Sequence, residues 1–173
     1  MSLIYVTGVS GSGKSTLCDE LVRRGHDAHD SDREGNASFV SRLTGEHVTA
    51  PSLEGRTAEF VAEFEWRFIR AAVERLAARA ADRTVFFLGT AANECEVWDL
   101  FDVIIYLAID EPTLRQRIAM RTDNDFGKSD DELRRCVEWL AEANADYAKY
   151  GATYVDATQP LHAVVDDILT ASA

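Results

Sequence analysis

Residues 8–16 read Gly8-Val9-Ser10-Gly11-Ser12-Gly13-Lys14-Ser15-Thr16, and no other stretch restricts the fold as tightly. A glycine, four residues, then Gly-Lys-Ser is the pattern of a phosphate-binding loop. Its glycines admit backbone angles closed to other residues, so successive N–H groups turn inward around an anion. Lys14 adds a point charge that reaches the β- and γ-phosphates of a nucleotide, and the Ser15 hydroxyl suits Mg²⁺. Gly11, Ser12, Gly13, Lys14, Ser15 and Thr16 are therefore the expected nucleotide contacts. The loop must sit between a buried strand and a helix whose positive N-terminal end meets the phosphate. Both flanks comply. Leu3–Thr7 is a short apolar, β-branched run, and Leu17 and Leu21 recur four apart in a segment that Gly25 stops. The competing reading is a Gly/Ser-rich turn with no ligand.

The alternation of strand and helix continues along the chain. Asp27–Asp30 is a short second strand, and Asp30-Ser31-Asp32 leaves it at the carboxyl edge, where α/β sheets bind ligands. A short helix is expected near Asn36–Leu43. Phe60, Phe64 and Phe68 recur every four residues beside Val61, Ile69, Val73 and Leu76, which predicts one long helix, capped by Ser52 or Thr57 and ending near Ala81. Trp66 falls off that stripe. Thr84–Leu88 and Val103–Ile109 are continuous apolar runs of the kind buried on both faces of a parallel sheet. A short helix between them carries Val97 and Trp98. Asp110-Glu111-Pro112 opens a helix with Arg117 and Arg121 on one face and Arg115 elsewhere. After a polar loop over Thr122–Ser129, Ser129 and Glu132 form a capping-box pattern for a helix to about Tyr150. Tyr154-Val155 is the last strand, and Leu161–Leu169 the last helix. The pattern predicts a single α/β domain over residues 1–173, with helices on both faces of an open five-stranded parallel sheet, a three-layer sandwich.

Charge narrows the partners. A net charge of −12 argues against a nucleic-acid duplex or an anionic membrane, since both need a basic face. No apolar run reaches the roughly 18 residues of a membrane span. No basic region precedes the first apolar run, so no signal peptide is expected. Cys18, Cys95 and Cys136 are odd in number and widely spaced, which fits a reducing, cytoplasmic setting without disulfides or a zinc site.

The loop after the first strand, Asp30-Ser31-Asp32 after the second, and the arginine-rich helix before a polar loop resemble the small P-loop kinases. These are the shikimate, gluconate and nucleoside-monophosphate kinases. The resemblance spans most of the chain. It implies strand order 2-3-1-4-5, a lid near residues 121–129, ATP and Mg²⁺ as cofactors, a small-molecule acceptor, and a monomer or homodimer. It implies Lys14, Asp32 and Arg117 as catalytic residues, with Arg117 and Arg121 on the nucleotide phosphates and Lys128 as a further lid candidate. Ser15 and Asp30 would serve the metal, Asp30 through a bound water. Asp32, Arg56 and Asn93 would meet the acceptor, and Arg33, Arg42 and Arg67 would join them for an acidic one. Shikimate kinases carry three glycines after the third strand; this chain has Gly89-Thr90-Ala91 there, so the resemblance stops short of a subfamily. The expected reaction is transfer of the γ-phosphoryl group of ATP to a hydroxyl of a small polar metabolite. The alternatives are a nucleoside or nucleoside-monophosphate kinase, and a regulatory or non-catalytic ATP-binding protein. The chain has no Asn-Lys-x-Asp guanine motif, and Val85–Leu88 ends in glycine rather than the acid a motor ATPase places there.

Overall fold

The computed structural model describes residues 1–33, 35–49, 51, 57–122 and 127–172. Its centre is a five-stranded, all-parallel sheet. The strands are β1 (Leu3–Thr7), β2 (Asp27–Asp30), β6 (Val85–Leu88), β7 (Val103–Ala108) and β8 (Thr153–Asp156), in the order β2-β6-β1-β7-β8. Counting only these five, the order is the expected 2-3-1-4-5. Helices α1 (Lys14–Arg23), α3 (Arg70–Arg79), α4 (Glu111–Met120), α5 (Asp130–Asp146) and α6 (Leu161–Ala171) cover its faces.

Two-residue alternation divides the apolar residues between the faces. Ile4, Val6, Phe86 and Leu88 pack on one side with Leu17 and Leu21 of α1, Leu114 and Ile118 of α4, and Val165 and Ile168 of α6. Leu3, Tyr5, Val85 and Phe87 pack on the other with Val73 and Leu76 of α3 and with Phe68. The second core is aromatic: the Tyr5 ring lies 4.8 Å from Phe101 and 5.8 Å from Phe68. Among the described residues no helix is long and apolar enough to cross a membrane.

Two expectations are corrected. The segment near Asn36–Leu43 is a strand, β3 (Ala37–Ser41), and the long helix up to Ala81 is three elements. Thr57 does cap a helix, accepting from the Phe60 N–H, but that helix, α2 (Ala58–Glu63), lasts six residues and passes straight into β5 (Phe64–Phe68). The chain re-enters a helix at Arg70. With β4 (His47–Val48), β3 and β5 form an antiparallel sheet in the order β4-β3-β5. The misreading has a definite cause, because a spacing of four fits a helical stripe and is also even. Phe64, Trp66 and Phe68 therefore share one strand face, and Trp66, the residue that fitted no helix, packs against the core and 4.9 Å from the Phe39 ring. The short helix expected at Val97 and Trp98 is a pair of 3-10 turns, Glu94–Glu96 and Trp98–Leu100.

The second sheet is anchored beside the carboxyl end of β6. The Ile69 N–H donates to the Asn36 carbonyl at 2.9 Å and the Ala92 N–H to the Trp66 carbonyl at 2.8 Å. Gly89 sits where these parts meet. A Cβ there would lie 2.7 Å from Ser31 Cβ and 3.2 Å from Phe68 Cε1, with the Ser31 hydroxyl closer still. Overpacking of this kind costs about 1–3 kcal/mol, so Gly89→Ala is expected to lower unfolding free energy by that amount in urea titration. A change within experimental error would mean that Ser31 and β5 give way freely.

Candidate active site

Register sets the site. Val6 of β1 and Asp30 of β2 both pair with Leu88 of β6, so β2 and β6 end at one level and β1 one residue beyond. Gly8, Ser31 and Gly89 consequently leave the sheet together, at the edge where parallel sheets hold ligands. The loop after β1 turns with a hydrogen bond from the Ser12 N–H to the Val9 carbonyl at 3.0 Å. Gly11 and Gly13 have φ of 90° and 102°, angles that only glycine takes readily. Gly13 caps α1 without any side-chain hydrogen bond, which leaves the first-turn N–H groups of α1 for an anion. Ser15 is half-buried and Thr16 exposed at this end.

Lys14 folds back over the loop. Its Nζ donates to the Gly8 carbonyl at 2.5 Å and to the Val9 carbonyl at 3.2 Å. Burial pushes the ammonium below its ordinary pKa, while the charges of Asp32, Glu94 and Asp30 oppose that shift. Lys14 and three carboxylates thus share one crevice.

Arg117 and Arg121 do not share a helix face as expected, because α4 ends at Met120 and Arg121 follows it in extended conformation. Arg121 Nη1 donates to Ser10 Oγ of the loop at 3.1 Å, whereas its Nε and Nη2 are buried with no acceptor among the described residues. Unpaired buried guanidinium donors beside a phosphate loop fit an anionic oxygen. Arg117, expected on the phosphates, donates instead to backbone carbonyls. Nη1 reaches Ser12 at 2.9 Å and Gly11 at 3.4 Å, and Nη2 reaches Ala157 at 2.6 Å. It ties the loop to the turn after β8, where Asp156 accepts from the Thr158 N–H at 3.0 Å. Arg115 lies apart, paired with Glu111.

The acids after β2 are distinct in environment. Asp30 is buried; its Oδ1 accepts the Asp32 N–H at 3.0 Å, and Oδ2 accepts no hydrogen bond among the described residues, with Arg33 Nε 3.7 Å away. Asp32 is exposed, and its Oδ1 accepts from Ser31 Oγ at 2.9 Å and Trp66 Nε1 at 3.1 Å. Among the described residues no cluster of three or more His, Cys, Asp or Glu is arranged to hold a metal. A nucleotide-bound Mg²⁺ needs only a hydroxyl, phosphate oxygens and waters, and the Ser15 hydroxyl with the unpaired Asp30 oxygen fits that lighter requirement.

Of the residues expected at the acceptor, Arg56 lies outside the described residues. Asn93 is 4% exposed, and its amide is committed to β5: Oδ1 accepts the Phe68 N–H at 2.8 Å and Nδ2 donates to the Phe68 carbonyl at 3.1 Å. That geometry makes it a clamp between the sheets rather than a free ligand for substrate. Arg42 and Arg67 line a cavity of about 450 Å³ beside β3 and β5, where they pair with Glu65 and Glu96. Residues 65 and 67 lie on the opposite face of β5 from Trp66, hence from Asp32.

Sequence reasoning undervalued Glu94. It is 7% exposed, and accepts from Tyr147 Oη at 2.5 Å, the Ala91 N–H at 3.1 Å and Thr7 Oγ1 at 3.5 Å. Burial pushes its carboxyl above the ordinary range, against the pull of Tyr147, the Ala91 N–H, Tyr5 and Lys14. Burial, together with the Glu94 charge, raises Tyr147 well above a free phenol, so the phenol keeps its proton and donates. Thr90 Oγ1 donates to the same Gly8 carbonyl as Lys14, at 2.9 Å, and joins this group to the loop. No local pattern announces it, since Glu94 and Tyr147 are 53 positions apart.

A glycine loop feeding a helix N-terminus, on a parallel sheet of order 2-3-1-4-5, defines a P-loop nucleotide-binding fold of the small-kinase type. The AAA_18 family model, described as an AAA domain, matches residues 4–139, and the chain belongs to that family. No curated protein matches it in sequence. Among solved structures it is similar to shikimate kinase from Acinetobacter baumannii in complex with shikimate, at 19% identity and TM-score 0.64, covering 98% of this chain and 92% of that one. It is also similar to deoxyadenosine kinase from M. mycoides with bound dATP, at 16% identity and TM-score 0.60, covering 98% of each chain. A gluconokinase from Sinorhizobium meliloti 1021 aligns at 23% identity and TM-score 0.55, over 97% of this chain and 89% of the other. Identities this low speak for the fold, which agrees with the resemblance drawn from the motifs.

The Arg117 fork yields a test that needs no substrate. Hydrogen bonds from a charged group are worth about 1.5–3 kcal/mol, so Arg117→Ala is expected to destabilise by that order in urea titration. Arg117→Lys should recover only part of it, because an ammonium cannot reach both the loop and Ala157. Full recovery by lysine would show that the fork geometry is immaterial.

Proposed function

We propose that this chain is an ATP-dependent kinase that transfers the γ-phosphoryl group to a hydroxyl of a small polar metabolite. The observation that carries this reading is Arg121, with two buried guanidinium nitrogens that lack acceptors among the described residues, set against Ser10 of a glycine loop that already holds Lys14. Phosphoryl transfer asks the protein for positioning and charge stabilisation more than for covalent chemistry. The loop amides, Lys14 and Arg121 would bind the phosphates, and Arg117 would keep the loop in shape from below. Mg²⁺, held by Ser15 and by Asp30 through water, would neutralise phosphate charge. Asp32 would orient the acceptor hydroxyl or take its proton. Its Oδ1 is fixed by Ser31 and Trp66, which would orient the carboxylate.

Three substitutions separate these roles. Lys14→Ala is expected to abolish transfer with the fold intact. Asp32→Asn should lower the transfer rate by about 10²–10⁴-fold with little change in nucleotide affinity. Asp30→Asn should instead shift the Mg²⁺ dependence. Calorimetry with ATP and Mg²⁺, beside an ATP-consumption assay, reads all three. Wild-type turnover in Lys14→Ala would overturn the proposal.

We also infer a lid over residues 121–129, of which 123–126 lie outside the described residues. On its far side Ser129 caps α5, accepting from the Glu132 N–H at 3.4 Å, while the Glu132 carboxylate accepts from Ser129 Oγ and the Gly127 N–H, each at 3.0 Å. A lid would exclude water, which otherwise competes for the phosphoryl group. Amide hydrogen exchange over 121–129 is expected to slow when ATP and acceptor are both bound. Exchange unchanged by ligands would mark a static turn.

A further inference from the structure

A second cavity, of about 330 Å³, opens between the 3-10 turns after β6 and the end of α5. That volume lies in the range of small-molecule pockets and holds one sugar-sized ring. It adjoins the phosphate loop through Thr90, whose hydroxyl donates to the carbonyl that also accepts from Lys14. Trp98, Trp139, Tyr147 and Tyr150 form its walls, and the carboxylates are Glu94 and Glu142. Among the described residues lining it there is no Lys, Arg or His.

We propose that the acceptor is a hydroxylated molecule carrying a protonated amine, an amino alcohol or amino sugar, seated between these aromatic walls with its ammonium toward Glu94 and Glu142. The inference rests on the kinase reading above and names the class of its acceptor, seated in the cavity that Thr90 joins to the phosphate loop. An acidic acceptor would bring its charge against the buried Glu94 carboxylate, with no cation in the cavity wall to offset it. A cation gains twice, from the ring faces and from the carboxylates. Glu94 also gains: burial disfavours its ionised form, and an ammonium nearby restores it. The apolar face of a sugar ring suits Trp98, whose ring lies 3.9 Å from that of Tyr150. Trp98 lines the cavity, and its Nε1 is buried with no acceptor among the described residues, a donor that an acceptor hydroxyl could meet. The arginine-lined cavity is the poorer home for an acceptor. Its Arg42, Arg67 and Arg70 are already paired with Glu65, Glu96 and Asp99, and it lies on the far face of β5 from Asp32.

Glucosamine, N-acetylglucosamine, gluconate and adenosine test the idea. Each is titrated into the full chain by tryptophan fluorescence, with a non-hydrolysable ATP analogue and Mg²⁺ at saturation. Glucosamine is expected to bind roughly tenfold or more tightly than its neutral acetylated form, with gluconate weakest. Glu142→Gln removes an exposed carboxylate that the fold does not need, and should reduce that preference several-fold. Equal binding of the charged and acetylated sugars, tighter binding of gluconate or adenosine, or no binding of glucosamine overturns the proposal. The ATP analogue is titrated separately. Analogue binding without an ammonium preference removes only the acceptor class, and an ammonium preference without analogue binding removes the kinase reading instead.

Discussion

Everything at the active edge depends on β1 being held in register between β6 and β7. All five of its residues are buried, so its peptide groups have no water to turn to and must pair along both neighbours. A slip of one residue would exchange the face of Ile4 and Val6 for that of Leu3 and Tyr5, mixing an aliphatic core with an aromatic one. The same ladder that forbids this slip aligns the ends of β1, β2 and β6. Core packing and site geometry are therefore one constraint: Gly8, Ser31 and Gly89 meet because the strands beneath them cannot move independently.

The phosphate loop is held from two sides by groups of different kinds. Below, Arg117 saturates carbonyls of Gly11, Ser12 and Ala157, so the outward-turned oxygens of the loop are satisfied by the protein itself. At the mouth, Arg121 reaches only Ser10 among the described residues, which leaves two of its buried nitrogens without an acceptor there. An unpaired buried donor costs more than a typical hydrogen bond contributes, so the second arrangement is tolerated at a local loss of stability. That asymmetry separates an arginine within α4, spent on the loop carbonyls, from one just past its end that keeps donors for an anion on the kinase reading.

Where the sequence is legible and where it is not follows from periodicity. The five core strands are short continuous apolar runs or end in acids beside a glycine loop, and one reading accounts for them. The second sheet escaped because Phe60, Phe64 and Phe68 satisfy both periods. Trp66 was the discriminating residue, since it fits period two alone and hydrogen-bonds the Asp32 carboxylate. The placing of the glycine loop after β1 and of the acids after β2 was readable because each sits within a few positions of a strand end. Glu94 and Tyr147, and the commitment of Asn93 to Phe68, depend on contacts between distant segments, about which local pattern is silent.

A chain of net charge −12 repels a polyphosphate at long range, yet that field is screened beyond about 8 Å at physiological ionic strength. What decides binding is within contact distance. There the loop amides, the start of α1, Lys14 and Arg121 attract, while Asp30, Asp32 and Glu94 share the crevice closely enough to act on Lys14. Placing nucleotide phosphates beside these acids would set negative charge against negative charge. On the kinase reading a divalent cation must therefore accompany the nucleotide, and the buried Asp30 oxygen that would repel ATP alone is the one suited to that cation. On that reading the acids would act in sequence along the crevice: Asp30 next to the phosphate chain, Asp32 at the transferred group, and Glu94 behind the acceptor, where its charge would select what enters.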